Sequence, residues 1–179
     1  MRLFVAVELG VGAIERVRAL PRPSVPGVRW TAEPTWHVTL RFLGELPGAE
    51  PVQAALDGAD LGSTLEARLG PRTRRLNPNV LVVPVTGVDD LAARVRAATA
   101  ELGEPLGPKP FDAHLTIARR RRRGGRLPAG EPVDMAFPVD EVVLFSSTLS
   151  RDGPTHEVVH RWPLRREAAA SGAGVPSDR

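Results

Sequence analysis

A chain of 179 residues with 42% hydrophobic positions is long enough to bury a substantial core, as one domain or as two small lobes sharing an interior. It has no cysteine, which excludes a disulfide framework and a thiolate metal site. The formal charge is +3, and Lys109 is the only lysine among 24 basic residues, so the positive charge is almost wholly arginine.

Met1 leads straight into a strand-like run that Glu8 closes, which fits neither a signal peptide nor a membrane span. The expectation is a soluble, monomeric, cytoplasmic protein with no membrane partner. Arginine is concentrated at Arg72 to Arg75, interrupted by Thr73, and at Arg119 to Arg123. Its planar fork suits phosphate and stacks on bases, so nucleic acid is one partner to consider; solvated surface in an arginine-rich chain is the plainer reading.

In chain order, Leu3 to Leu9 reads as a central strand. Val11 to Leu20 reads as a helix with apolar residues at Ala13, Ile14, Val17 and Leu20, stopped by Pro21 and Pro23. Val28 to Trp30 is a short edge strand, Glu33-Pro34 a turn, and His37 to Leu43 a strand ended by Gly44 and Pro47-Gly48. A helix starts at Glu50 to Leu56, a half-exposed strand runs from Ser63 to Leu69, and Asn77-Pro78-Asn79 turns the chain. Val80 to Val85 is a strand in which Pro84 favours an edge or a bulge. Val88 to Leu102 is the best helix, with Asp89 or Asp90 near its start and Gly103 after its end. The strand containing His114 follows, then a basic loop from Arg120 to Gly130. Two strands, Val139 to Leu149 and Thr155 to Leu164, are joined by a turn at Arg151 to Pro154. Residues 167–179 are small and polar and are expected to form a disordered tail beyond a domain spanning 1–166.

Two stretches carry chemistry: Trp36-His37-Val38-Thr39-Leu40 and Ala113-His114-Leu115-Thr116-Ile117. Alternate residues of a strand share a face, so each imidazole stands beside its own threonine hydroxyl while Val38, Leu40, Leu115 and Ile117 point inward. One His-x-Thr on a strand is ordinary decoration. Here the surroundings repeat as well, because 34 positions separate Leu3 from His37 and Val80 from His114, with a helix in each interval.

A third pattern, His156-Glu157-Val158-Val159-His160, matches H-E-x-x-H, which binds zinc only on a helix. Gly153-Pro154 before it, two valines within it and Pro163 after it make it a strand. Residues four apart on a strand stand roughly 13 Å from each other, too far to share one ion. His156 and His160 therefore read as strand decoration, and no metal or other cofactor is expected.

Two imidazoles facing one phosphate can divide a hydrolysis, one taking a proton from water and one giving a proton to the departing oxygen. Thr39 and Thr116 would donate to the non-bridging oxygens. No carboxylate cluster accompanies either motif, so the chemistry does not require a metal.

These residues bring a resemblance into view. With the opening Arg2-Leu3-Phe4-Val5-Ala6, the run Trp36 to Gly44, the run Phe111 to Arg119 and Glu141 to Ser147, the chain resembles the two-histidine phosphoesterases. Within them it is most similar to the RNA 2′,3′-cyclic phosphodiesterases, also called 2′–5′ RNA ligases, from Met1 to about Leu164. The resemblance implies an α+β, bilobal fold with two antiparallel sheets around a central cleft, helices outside and one HxT unit per lobe. It implies metal-independent opening of an RNA 2′,3′-cyclic phosphate to a 2′-phosphate by His37, His114, Thr39 and Thr116, with reversible 2′–5′ ligation as a related reaction. It also implies that Phe42 packs on base or ribose and that Arg119 holds phosphate. Strand parity faces Arg119 away from the histidine, so a bulge or the strand's end must redirect it. Arg41, on the His37 face by parity, Phe145 and Trp30 are further substrate-binding candidates, with core packing the competing role for Phe145. The halves are nearly symmetric; His114 is the preferred base and His37 the preferred acid. Two other readings are an RNA-end binding module without turnover and an esterase for small cyclic nucleotide phosphates.

Overall fold

The computed structural model describes residues 1–121, 123–150 and 153–166. In chain order the elements are β1 (Arg2–Glu8), α1 (Val11–Arg18), β2 (Val28–Trp30), a 3-10 turn (Glu33–Thr35), β3 (His37–Glu45) and α2 (Glu50–Asp57). There follow β4 (Leu65–Leu69), β5 (Arg74–Asn77), β6 (Val80–Thr86), α3 (Asp89–Ala98), β7 (His114–Arg120), β8 (Met135–Val139), β9 (Glu141–Ser150) and β10 (Gly153–Pro163). The proposed tail at 167–179 and the residues Arg151 and Asp152 of the expected turn lie outside the described residues.

The strands follow the order β10-β9-β1-β3-β7-β6-β4-β8, with β2 added to β7 and β5 to β6, and the pairings between named strands are antiparallel. The path divides into two halves, β10-β9-β1-β3 and β7-β6-β4-β8, that meet through one residue pair, Val38 with Leu115. This is the α+β arrangement of two antiparallel sheets read from the sequence, with the sheets continuous at a narrow seam.

Helices brace the seam. α1 buries Ala13 and Val17, one turn apart, and packs on β8 of the opposite half. α3 buries Leu91, Ala92 and Val95 and packs on β3, again across the seam. α3 stops at Ala98, short of the expected Leu102, where Thr99 Oγ1 donates to the Val95 carbonyl at 2.7 Å and the chain turns onto β3. There the Glu104 N–H donates to the Leu43 carbonyl at 2.8 Å. Gly103 has φ +66°, and a Cβ at that position would sit 2.1 Å from the Leu43 oxygen, so the close approach requires glycine.

Two short strands have no counterpart in the sequence pattern. β5 is arginine-rich, and β8 contains Pro138, which it tolerates as the last strand of the order. Pro84, expected at an edge or a bulge, lies inside the sheet instead. It sits where β6 passes from β5, paired as far as Val82, to β4, paired from Val85, and the interrupted ladder accepts a residue without an N–H. The main core takes Leu3, Val5 and Val7 from β1; Phe4 and Ala6, on its other face, join Val143 and Phe145 in a smaller cluster. Among the described residues no helix is long and apolar enough to cross a membrane.

Candidate active site

Both HxT strands carry a bulge immediately after the threonine. On β3, Thr39 pairs with Ala6 but Arg41 pairs with Val5, so Leu40 is an extra residue. On β7, Thr116 pairs with Val82 and Ala118 with Leu81, leaving Ile117 extra. Each bulge reverses the alternation. Leu40 and Arg41 are both buried, as are Ile117 and Ala118, and the residue three beyond each threonine returns to the histidine face. Those residues are Phe42 and Arg119. The bulge at Ile117 supplies the redirection that Arg119 needs.

Extending the Val38–Leu115 register sets His37 across from Thr116 and Thr39 across from His114. The two histidines are then diagonal neighbours on antiparallel strands, a relation that separates residues by roughly 7–8 Å and leaves room for one phosphorus atom between the rings. A cavity of about 150 Å³ opens there, lined by both HxT pairs and Arg119. It is also lined by Thr31, Thr35 and His156, which sequence reasoning does not place at the site.

His37 stands on an aromatic floor, its ring 4.6 Å from Phe4 and 6.0 Å from Phe145. Burial, with the neighbouring His156 as the next cause, pushes its pKa down to about 4, against weak opposition from the Thr35 backbone. His114 is tethered differently: Nδ1 lies 2.6 Å from the Asp112 carbonyl, which fixes Nδ1 as the N–H donor and leaves Nε2 for the cavity. The Asp112 carboxylate accepts from Arg74 Nη2 at 2.5 and 2.7 Å, so an arginine of the first run anchors the approach to β7. Thr31 clasps the rim by donating to the Thr116 carbonyl at 3.0 Å and accepting from Trp36 Nε1 at 3.0 Å.

The HEVVH stretch lies in β10, on a strand as its composition indicates, but decoration is the wrong reading of His156. Its ring meets His37 edge-on at 5.1 Å and Phe4 at 5.0 Å, and burial lowers its pKa. His156 Nδ1 is buried without a hydrogen-bond partner among the described residues. An extra residue, Val159, separates the two histidines in the ladder, and His160 turns instead to Trp162, with ring centres 4.5 Å apart. Nothing in the sequence of β10 alone signals this; the cue is the pairing of β10 beside β9 and β1, which carries His156 over Phe4.

The secondary candidates separate. Arg41 is corrected: it is 5% exposed, and its Nη2 donates to the Leu102 and Glu104 carbonyls at 2.8 and 2.6 Å, because the Leu40 bulge turns it from the cavity into the α3 connection. Phe145 is buried in the floor, stacked on Phe4 at 5.2 Å, and supports the site from beneath. Phe42 is half-buried on the cleft face, with the Arg2 guanidinium 4.8 Å from its ring centre. Trp30 lines a groove of about 460 Å³ that shares Thr31, Thr35, Arg119 and Pro154 with the cavity between the HxT pairs.

No family model matches the chain. A Thermus thermophilus protein named RNA 2′,3′-cyclic phosphodiesterase is 35% identical, with 100% of this chain and 98% of the relative covered. An Escherichia coli protein of the same name is 27% identical over 91% of this chain and 96% of its own length. Among solved structures, one from Thermus thermophilus superposes with a TM-score of 0.73 at 33% identity, covering 94% of this chain and 100% of the other. Escherichia coli LigT complexed with 3′-AMP gives 0.70 at 25% identity, with 91% and 97% covered. Full-length similarity of this kind, in a chain whose two HxT strands meet at one cavity, makes it a member of the RNA 2′,3′-cyclic phosphodiesterase family of two-histidine phosphoesterases.

Proposed function

We propose that this protein hydrolyses 2′,3′-cyclic phosphates at RNA ends without a metal, leaving a 2′-phosphate. The observation that carries the reading is the cavity of about 150 Å³ in which the imidazoles and threonine hydroxyls of both HxT motifs meet with the Arg119 guanidinium. A proton acceptor, a proton donor and groups for the phosphate's charge are all present there as side chains. The name carried by the Thermus relative supports the substrate class.

In the step, water attacks phosphorus and the bond from phosphorus to O3′ breaks. His37, neutral at any pH well above about 4, takes the water's proton, and protonated His114 gives its proton to O3′ from Nε2. This reverses the assignment preferred from sequence. Burial, with the neighbouring His156, favours the neutral form of His37, the form that accepts a proton. Thr39, Thr116 and Arg119 meet the charge on the non-bridging oxygens. With an RNA 5′-hydroxyl in place of water, the same step leaves a 2′–5′ phosphodiester. Phe42 and the groove beside Trp30 offer apolar surface for the terminal nucleoside.

The test is turnover of an oligonucleotide ending in a 2′,3′-cyclic phosphate. His37→Ala and His114→Ala should each lower kcat by about 10²–10⁴-fold with an unchanged circular dichroism spectrum; native turnover in either variant overturns the reading. Chelation with EDTA should leave the wild-type rate unaltered, and a loss restored by a divalent ion would contradict metal independence.

A further inference from the structure

One arginine from each run, Arg75 and Arg120, meets the other on the face of the second half opposite the catalytic cavity. β5 and β7 flank β6, with Arg75 paired to Leu81 and the Arg120 N–H donating to the Asn79 carbonyl at 3.0 Å. The Ile117 bulge that turns Arg119 toward the histidines turns Arg120 the other way. There Arg75, Arg120 and Arg126, with Asn77, Pro78 and Leu127, line a cavity of about 420 Å³.

Neutral groups hold two of the three guanidinia. Arg75 Nε donates to the Leu127 carbonyl at 2.9 Å. Arg120 donates through Nε to Asn79 Oδ1 at 3.0 Å and through Nη1 to the Gly124 carbonyl at 3.1 Å. Arg75 Nη1 and Arg120 Nη2 make no hydrogen bond to protein among the described residues, and neither do the exposed nitrogens of Arg126. Elsewhere Arg18, Arg68, Arg74, Arg94, Arg161 and Arg165 pair with carboxylates. Here three cations meet with no carboxylate partner among the described residues, in a cavity lined by no acidic residue. Pinned, uncompensated guanidinia with outward N–H groups are a preorganised anion site. Among the described residues the lining has no aromatic ring on which a base could stack, so the recognised group is phosphate and not nucleobase.

We propose that this cavity is a second phosphate site, which grips the backbone of an RNA whose cyclic end occupies the catalytic cavity. Arg120 is the last residue of β7 and directly follows Arg119, so the end of that strand contributes one arginine to each cavity. The proposal rests on the hydrolytic reading above, and it predicts that longer RNA is favoured over a mononucleotide.

Steady-state kinetics on a nucleoside 2′,3′-cyclic phosphate and on an eight-nucleotide RNA with the same end provide the test. They are paired with anisotropy binding of an eight-nucleotide RNA ending in 2′-phosphate at two salt concentrations. Arg75→Gln/Arg126→Gln should raise KM for the octamer about tenfold and flatten the log–log salt dependence of binding by about 0.7 for each phosphate that is no longer neutralised. Mononucleotide kinetics should be unchanged. Arg126→Gln alone, at an exposed residue with no internal bond, should give a smaller effect of the same sign, and Arg72→Gln, outside the cavity, none. The proposal falls if octamer and mononucleotide lose equally, if neither changes, or if Arg72→Gln matches the double variant. It also falls if inorganic phosphate binds the cavity by calorimetry while octamer affinity is indifferent to the substitutions. If the wild type turns over neither substrate, the hydrolytic reading fails, and the anisotropy measurements still decide whether the site holds RNA.

Discussion

His37 is the residue whose ionisation the site controls most tightly. A histidine free in the unfolded chain titrates near 6.5, and the buried ring titrates near 4. Between those values the unfolded chain binds more protons than the folded one, so stability is full above about 6.5 and declines as pH falls toward 4. The separation corresponds to about 3 kcal/mol from this residue, with His156 adding in the same direction. Denaturant unfolding between pH 7 and 4 should show the decline, and His37→Phe should shrink it; a flat profile would contradict a neutral buried ring. His156 is the neighbouring group that opposes a charge on His37. Its replacement in His156→Asn should raise the His37 pKa and move the acid limb of the kcat profile to higher pH, and an unmoved limb would remove His156 from the account. Arg41→Met tests the inward role of that guanidinium. It leaves the Leu102 and Glu104 carbonyls without their partner, which should cost about 1–3 kcal/mol of stability while leaving KM for the RNA unchanged.

At the scale of elements, alternation makes the HxT faces legible and then ceases to apply. His-x-Thr on a two-residue period needs only a strand, and both strands are where Val38, Leu40, Leu115 and Ile117 require them to be. Past each threonine the period breaks, because one residue is inserted against a neighbour that the sequence of the strand itself does not name. For that reason parity faces Arg41 toward the site when it lies in the core, and the bulge that Arg119 needs has no sequence mark to place it. β5 and β8 escape notice for a related reason: four arginine-rich residues and a proline-bearing edge have little pattern before their partners are known. His156 escapes because its motif offers a zinc helix or strand decoration to weigh, and its place at the cavity comes from the strand beside it. Deleting Ile117 should remove the bulge and leave Ala118 alone between Thr116 and Arg119, so that strict alternation by itself keeps Arg119 on the histidine face. The expected result is activity above that of Arg119→Ala, with the folded spectrum retained; a loss as large as that of Arg119→Ala would contradict strand facing as what brings Arg119 to the cavity.

For the molecule as a whole, the site lies where the two halves have least in common. One residue pair joins their sheets, and the registration of His37 against His114 depends on it and on two helices, each packed on the opposite half. Leu115→Ala should therefore combine about 2–5 kcal/mol of lost stability with a reduced kcat, measured at a temperature where the variant is still folded. The central requirement is that both imidazoles flank one phosphate. Histidine NMR during titration with a nucleoside 2′-monophosphate, the product of the proposed reaction, examines it most directly. The ring resonances of His37 and His114 should move together and saturate at the same ligand concentration; movement of one ring without the other would contradict the account.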